Sequence, residues 1–598
     1  MKKILLSITF ALMGIVSGFA AKAYSGIVTV TQSDGTELNV RIYGDEHFNW
    51  LTTEDGVLLV QEGNNYYIAE TTSYGTLKAT KFIAHNANKR VPAEIKAIKK
   101  QDLSRFRSYA IQKASPAKAM GIGNNGVKYF PHSGSPKALV ILVEFSDTPF
   151  QSGEKAKNVF EHFLKGKAED NLPDGYEAYT GSYKNKNNLR NKGSVSDYFY
   201  DMSKGSYTPQ FDVVGPYKLN HSSLYYGQGD KDNTYDLVSD TCKAADKDVD
   251  FSRYDADGDG MVDLVYIIYA GYPASMSGNP NDIWPKSGPG NDSFGTYDGK
   301  KVCRFGVHAE LNFGLELNQK NGFLLSGIGL FCHEFSHTLG LPDLYPTVDA
   351  SKVDNQNPEM WDLMDGGEYT YNGGYCPTPY SPWEMDAVGW ATPIELSDEK
   401  QTVTLKSYGK ERIAYKIKGE NNEYLLLQNI QKGGWWNGIA NVYNTGMLIW
   451  RIDYGTKDVN LFDNPNNNIG KPKVMIVPAD GYVISDYNHG DGKQWTDKQY
   501  KESLQADPFP GTTKRTELLS VVLNNSTLEK PIYNIKEENG VITFDYLDNI
   551  SAIQLPSVDE TDMTTKQIFS LDGRYLGNDA SKLTKGIYII GKKKVVIK

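Results

Sequence analysis

Two histidines four residues apart, His333 and His337, set the strictest condition on how this chain folds. They lie in the stretch GIGLFCHEFSHTLGLPDLY, with Glu334 directly after the first of them. Side chains four residues apart share one face of a helix, so both imidazoles can hold one ion while Glu334 faces the remaining coordination position. The stretch therefore predicts a helix that carries a metal site.

A metal site of this kind needs a third protein ligand, and two candidates follow in the sequence. Gly340 comes three residues after His337, where a glycine can end the helix in a left-handed conformation and turn the chain back. After that turn, Asp343 can approach the same ion with a carboxylate oxygen. The rival is Glu384 in SPWEMDAVGW, on a later helix. Because a site built with Glu384 does not need the glycine turn, Gly340 favours Asp343.

The chemistry that fits these residues is zinc-dependent hydrolysis of a peptide bond. Zn²⁺ held by three protein ligands keeps one position open for water and lowers the pKa of that water to about 7. Glu334 would then act as the general base. Further along, WDLMDGG places Met364 in a tight, glycine-rich turn, as in the methionine turn that lies beneath the metal in metzincins. The alternative for the short histidine pattern is chance, and the alternative for Met364 is core packing.

A second cluster of metal-binding residue types lies upstream, in DADGDGMVD. Asp255, Asp257, Asp259 and Asp263 stand at short, mostly alternating spacing with glycines between them. Carboxylate oxygens at such offsets are what Ca²⁺ requires. The position of the closing glutamate of a helix-loop-helix calcium site is Tyr266, so the pattern predicts a structural calcium loop of another type. The alternative is a solvated acidic turn.

The beginning of the chain has the pattern of a signal peptide. Lys2 and Lys3 precede an apolar run from Ile4 to about Val16, which is followed by small residues. We therefore expect an exported protein with no transmembrane segment in the mature chain. The formal charge of −10 argues against nucleic acid as a partner. The chain has four cysteines, for which export permits disulfides without fixing their pairing: Cys242, Cys303, Cys332 and Cys376.

Composition and hydrophobic periodicity divide the 598 residues into blocks. The run KALVILVE, from Lys137, predicts a strand buried on both faces, and short alternating segments after about residue 397 predict a β-sandwich. The expected organisation is a signal peptide (1–23), a β-rich region with a basic connector (24–125), an α/β catalytic domain (126–395), a β-sandwich (396–548), a linker (549–563) and a C-terminal β-rich domain (564–598).

The catalytic block resembles the immune inhibitor A family of secreted zinc metalloproteases, whose pattern is HExxHxxGxxD. VILVEFSD, SVSDYFYDMSKGSY, YDADGDGMVDLVYIIYAGY, IWPKSG, LPDLY, WDLMDGG and SPWEMDAVGW occur in the order of that family. The resemblance implies an α/β (α+β) zincin or metzincin-like catalytic domain that acts on protein or peptide substrates. The β-rich region before it is similar to the propeptide of that family, which implies a zymogen.

The segment IFSLDGRYLGNDASKLTKGIYIIGKKKVVIK resembles the C-terminal sorting domain of the type IX secretion system. This resemblance implies the type IX machinery as a partner and a route through the periplasm to the cell surface or the medium. A second class of function stays open, namely a secreted or surface binding protein with an inactive protease-like domain. In that case the tryptophans of GGWWNG, Trp435 and Trp436, would form an exposed binding face, although paired tryptophans more often belong to a core.

Overall fold

The computed structural model of the protein has a mixed α/β architecture with additional β-rich regions. No helix in the described part of the chain is long and apolar enough to cross a membrane. The described residues are 19–44, 48–106, 109, 129–167, 170–184, 190–227, 233–347, 358–455, 459, 463–482, 496–549, 567–570, 575–590 and 593–597. The described α-helices are Pro92–Ile98, Ala156–Lys165, Thr180–Lys184, Val195–Met202, Ser223–Tyr226, Thr234–Ala245, Ala274–Ser277, Leu315–Asn321, Ile328–Thr338, Pro382–Ala387, Tyr408–Glu411, Asn437–Tyr443 and Asp497–Gln505.

The N-terminal region contains an antiparallel sheet in which each strand pairs with the next along the chain. Its inner face buries Val40 and Ile42, which pack in one core with Ala274 and Trp284 of the following region. The alternation of apolar and polar residues seen in the sequence thus corresponds to a face that packs on the next domain. The strands are β1 (Phe19–Ala20), β2 (Val28–Thr31), β3 (Glu37–Gly44), β4 (Asn49–Thr53), β5 (Leu58–Glu62), β6 (Asn65–Thr71) and β7 (Leu77–Ile83), of which β2 to β7 form this sheet.

A six-stranded sheet in the order β1-β12-β15-β11-β8-β9 forms the centre of the next region. Strands β9, β8, β11 and β15 run parallel, whereas β12 pairs antiparallel with β15. The short strand β1 extends the sheet by pairing antiparallel with β12. The strands are β8 (Lys137–Glu144), β9 (Gln210–Lys218), β10 (Met261–Val262), β11 (Val265–Tyr269), β12 (Lys286–Pro289), β13 (Thr296–Tyr297), β14 (Lys300–Val302) and β15 (Arg304–Ala309).

Helices cover both faces of this central sheet, so β8 is buried on both sides as its sequence predicts. Successive side chains of a strand point to opposite faces. Val140 and Leu142 therefore share a core with Phe331 and Phe335 of the helix Ile328–Thr338. On the other face, Leu139 and its alternate neighbours pack against the helix Thr234–Ala245.

Beyond residue 394, two sheets share one apolar core. One has the order β16-β18-β19-β20-β21 and the other β17-β25-β24. Leu425 and Ile449 of the first sheet pack with Leu405 and Phe544 of the second. The strands are β16 (Ile394–Glu395), β17 (Gln401–Leu405), β18 (Tyr415–Lys418), β19 (Tyr424–Ile430), β20 (Gly446–Ile452), β21 (Val474–Ile476), β22 (Val521–Val522), β23 (Thr527–Leu528), β24 (Ile532–Glu538) and β25 (Val541–Tyr546).

The C-terminal segment forms a four-stranded sheet in the order β27-β26-β28-β29. Its strands are β26 (Ile568–Ser570), β27 (Tyr575–Gly577), β28 (Gly586–Ile590) and β29 (Lys593–Ile597). The DGR segment lies outside the described residues, as do nearly all of the linker, most of the signal peptide and much of the basic connector.

Two groups of side chains settle questions that the sequence leaves open. Trp435 and Trp436 are 3% and 2% exposed and pack in the main core, so they do not form an exposed binding face. All four cysteines are free thiols, and Cys332 is fully buried beside the central sheet. Cys332 is therefore a core residue.

Candidate metal centre and active site

The helix Ile328–Thr338, here called the motif helix, carries the two histidines and is buried along its whole length. Phe331 stacks on Tyr266 of β11, with 4.0 Å between ring centroids, and thereby holds the helix against the central sheet. The motif helix also contacts β15, β12 and β1 of the same sheet. The motif helix therefore lies at the end of the sheet where β12 and β1 pair.

A glycine turn ends the motif helix and leads to the third acidic residue. Gly340 has φ = 105°, a conformation that side chains with a Cβ rarely adopt. Its N–H donates to the carbonyl of His337, and the next carbonyl, that of Leu341, accepts from the ring of His337. The turn thus fixes the His337 ring and sends the chain back toward the metal-binding face, where Asp343 lies.

His333, His337 and Asp343 meet in one buried group whose ligand atoms all lie within 4.8 Å of one another. Asp343 Oδ1 lies 3.3 Å from His333 Nε2 and 3.2 Å from His337 Nε2. Burial opposes the charge of Asp343, but the two imidazoles lower the pKa of this carboxyl to about 2. An ionised carboxylate between two imidazoles is a complete set of three protein ligands.

This donor set fits a tetrahedral zinc ion. Each histidine makes its Nδ1 hydrogen bond to a backbone carbonyl, His333 to Leu363 and His337 to Leu341, at 2.9 and 2.8 Å. A neutral imidazole that donates through Nδ1 presents the lone pair of Nε2 to a metal. Ligands about 2.0–2.1 Å from a tetrahedral zinc lie about 3.3 Å from one another, close to the separations found here.

Glu334 is fully buried beside this group and is not one of its three members. Neither of its carboxylate oxygens has a hydrogen-bond partner among the described residues. Burial raises the pKa of Glu334 well above its usual value; the charge of His333 opposes this rise, and Glu368 and Asp343 add to it. A carboxyl with free oxygens and a raised pKa, next to a metal site, is suited to accept and return a proton.

Met364 lies in the turn beneath the first histidine. Its carbonyl accepts a hydrogen bond from the N–H of Leu344 at 2.8 Å, and its own N–H donates to Asp362. The preceding residue, Leu363, supplies the carbonyl that holds the His333 ring. The turn therefore connects the segment of Asp343 with the first histidine, and the Met364 side chain is fully buried there.

Glu384, the rival third ligand, has a different role in the structure. It is buried in the helix Pro382–Ala387, and its carboxylate accepts from the backbone N–H of Ser381 as part of a capping box. It does not belong to the group formed by the two histidines and Asp343.

Three of the four aspartates of the upstream loop lie together. Asp255, Asp257 and Asp263 offer carboxylate oxygens within 4.8 Å of one another, whereas Asp259 is outside this group and accepts from the N–H of Met261. Lys300 also approaches the loop, with its Nζ 2.6 Å from Asp255. The loop thus concentrates carboxylates, and one lysine partly balances them.

The sequence does not predict three buried acidic residues that lie near the metal site. Glu359, Asp365 and Glu368 flank the turn at Met364 and are fully buried. Their signal in the sequence is the composition of PEMWDLMDGGEY, in which acidic residues alternate with large apolar ones around the turn. Lys22, within the expected signal peptide, lies beside them with its Nζ 2.8 Å from Asp365.

Comparison with known proteins places this site in a metallopeptidase domain. A family model described as immune inhibitor A peptidase M6, catalytic domain, matches residues 128–389. Immune inhibitor A of Bacillus thuringiensis subsp. alesti is 27% identical over 317 residues, which cover 44% of this chain and 42% of that protein. The pre-pro-metalloprotease PrtV of Vibrio cholerae serotype O1 is 24% identical over 281 residues, 41% of this chain and 29% of PrtV.

The similarity covers less than half of either relative. The matched residues include the motif helix, the glycine turn and the turn at Met364. Residues 128–389 are similar to the catalytic domain of the immune inhibitor A peptidase M6 family.

Proposed function

We propose that this chain is a secreted, zinc-dependent endopeptidase that is made as a zymogen. The observation that carries the proposal is the buried group of His333, His337 and Asp343, with the unpartnered Glu334 carboxylate beside it. The match to a metallopeptidase family supports it independently. The ordered spacing of these residues around a glycine turn also supports a metzincin-like arrangement.

In this proposal the three ligands hold the zinc and Glu334 moves the proton. Zinc would supply Lewis-acid polarisation of the substrate carbonyl and a water whose pKa is near 7. A carboxylate oxygen of Glu334 accepts the proton of the attacking water and then donates it to the nitrogen of the leaving amine. Burial of Glu334 favours its protonated form, which helps the second transfer. Hydrogen bonds from both histidine rings to backbone carbonyls keep the ligands in place during both transfers.

The N-terminal region is proposed to be the propeptide. Its sheet buries Val40 and Ile42 against Ala274 and Trp284 of the catalytic region, and β1 pairs with β12 beside the motif helix. A region that is packed at the active site can keep the enzyme latent until proteolysis of the basic connector. The resemblance of the C-terminal segment to a sorting domain supports export by the type IX machinery through the periplasm.

Calcium is proposed as a second, structural ion at the aspartate loop. The convergence of Asp255, Asp257 and Asp263 supports this assignment, and Asp259 would contribute only by a change in its side-chain position or through water. Burial and the neighbouring aspartates raise the pKa of Asp263 to about 6, as expected for a carboxyl whose charge needs a cation.

Metal analysis combined with a protease assay tests the proposed function. Purified protein, after its own processing, is expected to contain about one zinc per chain and to digest casein. Removal of the metal with 1,10-phenanthroline should abolish digestion, and zinc should restore it more effectively than magnesium. Zinc-loaded, processed protein that digests neither casein nor gelatin would contradict the proposal.

A further inference from the structure

The N-terminal segment occupies the edge of the central sheet as an extended peptide does. Strand β1 pairs antiparallel with β12, with Phe19 opposite Ser287 and Ala20 opposite Lys286. Addition of a strand to a sheet edge is a general way to bind a peptide, because the backbone supplies the affinity and side-chain pockets supply the specificity.

The side chain of Lys22 enters a pocket formed by Glu359, Asp365 and Glu368, here called the acidic pocket. Its Nζ lies 2.8 Å from Asp365 and 3.7 Å from Glu359. The Lys22 side chain is 2% exposed, and the two partner carboxylates are at most 1% exposed. A buried ammonium in such contacts is a specific arrangement, since burying an unpaired charge is strongly unfavourable.

The backbone around Lys22 is also held from both sides. Trp284 donates from its indole nitrogen to the carbonyl of Ala21 at 2.7 Å. Tyr369 donates from its hydroxyl to the carbonyl of Lys22 at 2.6 Å. These bonds involve only backbone atoms of the segment, so another peptide of the same path could accept them.

The acidic pocket holds three buried carboxyl groups around the one ammonium group of Lys22. Neither carboxylate oxygen of Glu368 has a hydrogen-bond partner among the described residues, and this residue is fully buried. If the segment leaves, the pocket keeps its buried carboxylates without the ammonium, which favours a new cationic group in the same place.

We propose that the acidic pocket is a substrate subsite for a lysine or arginine side chain, and that Lys22 occupies it in the precursor. The proposal rests on the proposed peptidase function. A substrate that follows the path of this segment would place a basic side chain in the acidic pocket. The enzyme therefore prefers a lysine or arginine at the position that Lys22 takes in the segment.

Lys22 has this role only if export leaves it in the chain. The expected signal peptide boundary after residue 23 would remove it. Gly18 and Ala20 are also small residues with the spacing of a cleavage site, and a cut after Ala20 keeps Lys22. The proposal therefore requires an exported precursor that begins at Ala21. A precursor that begins at Tyr24 would overturn the assignment of Lys22.

Peptide substrates test the subsite without altering the fold of the enzyme. The processed protein is given quenched peptides built on Ala-Ala-Lys-Ala-Tyr-Ser, in which the lysine is replaced by arginine, methionine or glutamate. We expect cleavage rates about 10- to 100-fold higher for lysine and arginine than for methionine, as for loss of a charged hydrogen bond. Equal rates for lysine, methionine and glutamate would overturn the proposal.

A binding measurement separates failure of this inference from failure of the proposed function. Protein with Glu334→Ala, matured by limited trypsin digestion, is titrated with fluorescent lysine or methionine peptide, and anisotropy gives both affinities. The lysine peptide should bind at least about tenfold more tightly. Asp365→Asn should remove this difference, whereas Asp292→Asn, at an exposed carboxylate, should retain it. If zinc-loaded protein cleaves nothing, the peptidase proposal fails, and the binding result still decides the pocket: equal affinities would overturn it.

Discussion

The choice of third ligand depends on the side chains at two positions, 343 and 384. Asp343 lies 3.2–3.3 Å from both histidine Nε2 atoms, whereas Glu384 accepts a hydrogen bond within its own helix cap. We predict that Asp343→Ala weakens zinc affinity more than about 100-fold, since even outer-shell changes cost 10- to 100-fold. Glu384→Gln should keep its zinc, because the amide retains the capping acceptor. Plasma mass spectrometry of both purified variants measures this, and a full zinc content in Asp343→Ala would rule out Asp343.

Glu310 makes the stability of the protein depend on pH. It is fully buried after β15 and accepts from the Tyr179 hydroxyl and the Gln151 N–H, both at 2.7 Å. Burial outweighs these donors and raises the pKa of Glu310 to about 7. A carboxyl whose pKa is higher in the folded than in the unfolded state stabilises the fold at low pH, and this contribution is lost as pH rises from about 4.5 through 7.

Glu310→Gln should therefore match the parent at pH 5 and exceed its melting temperature at pH 8 by several degrees. The variant keeps a neutral group of the same shape at both values. Glu154→Gln, at an exposed carboxylate, is the control and should show no such trend. Equal differences from the parent at both pH values would show that Glu310 titrates normally.

The sequence predicts those parts of the site that are fixed by residues close together in the chain. The motif helix, the turn at Gly340 and the strand β8 follow from helical spacing, one glycine and one apolar run, all read within about a dozen residues. The helix Val195–Met202 likewise has its N-cap, Ser194, directly before its first residue. By contrast, Lys22 meets Asp365 across 343 positions. A periodic pattern of residues does not predict a contact between positions so far apart in the chain. From the local sequence, Lys22 is explained as part of the signal peptide region.

Close backbone packing is another property that the sequence does not reveal. A methyl group at Gly329 of the motif helix would overlap the carbonyl oxygen of Glu368. The N–H of Gly329 donates to the carbonyl of Gly374. Gly329 of GIG and Gly374 of NGG therefore allow the motif helix to pack closely against the loop that forms the acidic pocket. From the sequence alone, each of these glycines indicates only the start of a helix or a turn.

The aspartate loop should make thermal stability depend on calcium. Without calcium, Asp255, Asp257 and Asp263 repel one another, although Lys300 lies close to Asp255. At about 100 times the Kd, calcium adds roughly 2.7 kcal/mol, which predicts a rise in melting temperature of about 5–10 °C over protein in EGTA. Differential scanning calorimetry measures the shift. Asp257→Asn should reduce it and Asp292→Asn should preserve it; an unchanged melting temperature with calcium would contradict the assignment.

Processing of the whole chain follows from its order of regions. The N-terminal sheet packs on the catalytic region, while much of the basic connector is exposed in its described part. We expect the mature enzyme to begin after roughly residues 113–128 and to lack the residues from roughly 549 on. Mass mapping of the termini of protein secreted by its native host tests this. Isolation of the full-length chain as the active form would contradict the zymogen proposal.

In the proposed mechanism, one buried carboxyl performs the proton transfers while three other residues hold the metal. Glu334 has no hydrogen-bond partner among the described residues and lies outside the group of His333, His337 and Asp343. The most direct measurement is therefore zinc content and casein hydrolysis on the same preparation of Glu334→Ala, with Glu384→Gln as the matched buried control. We predict full zinc content and a loss of hydrolysis of about 10²–10⁴-fold or more in Glu334→Ala. Near-normal turnover in that variant would contradict the account.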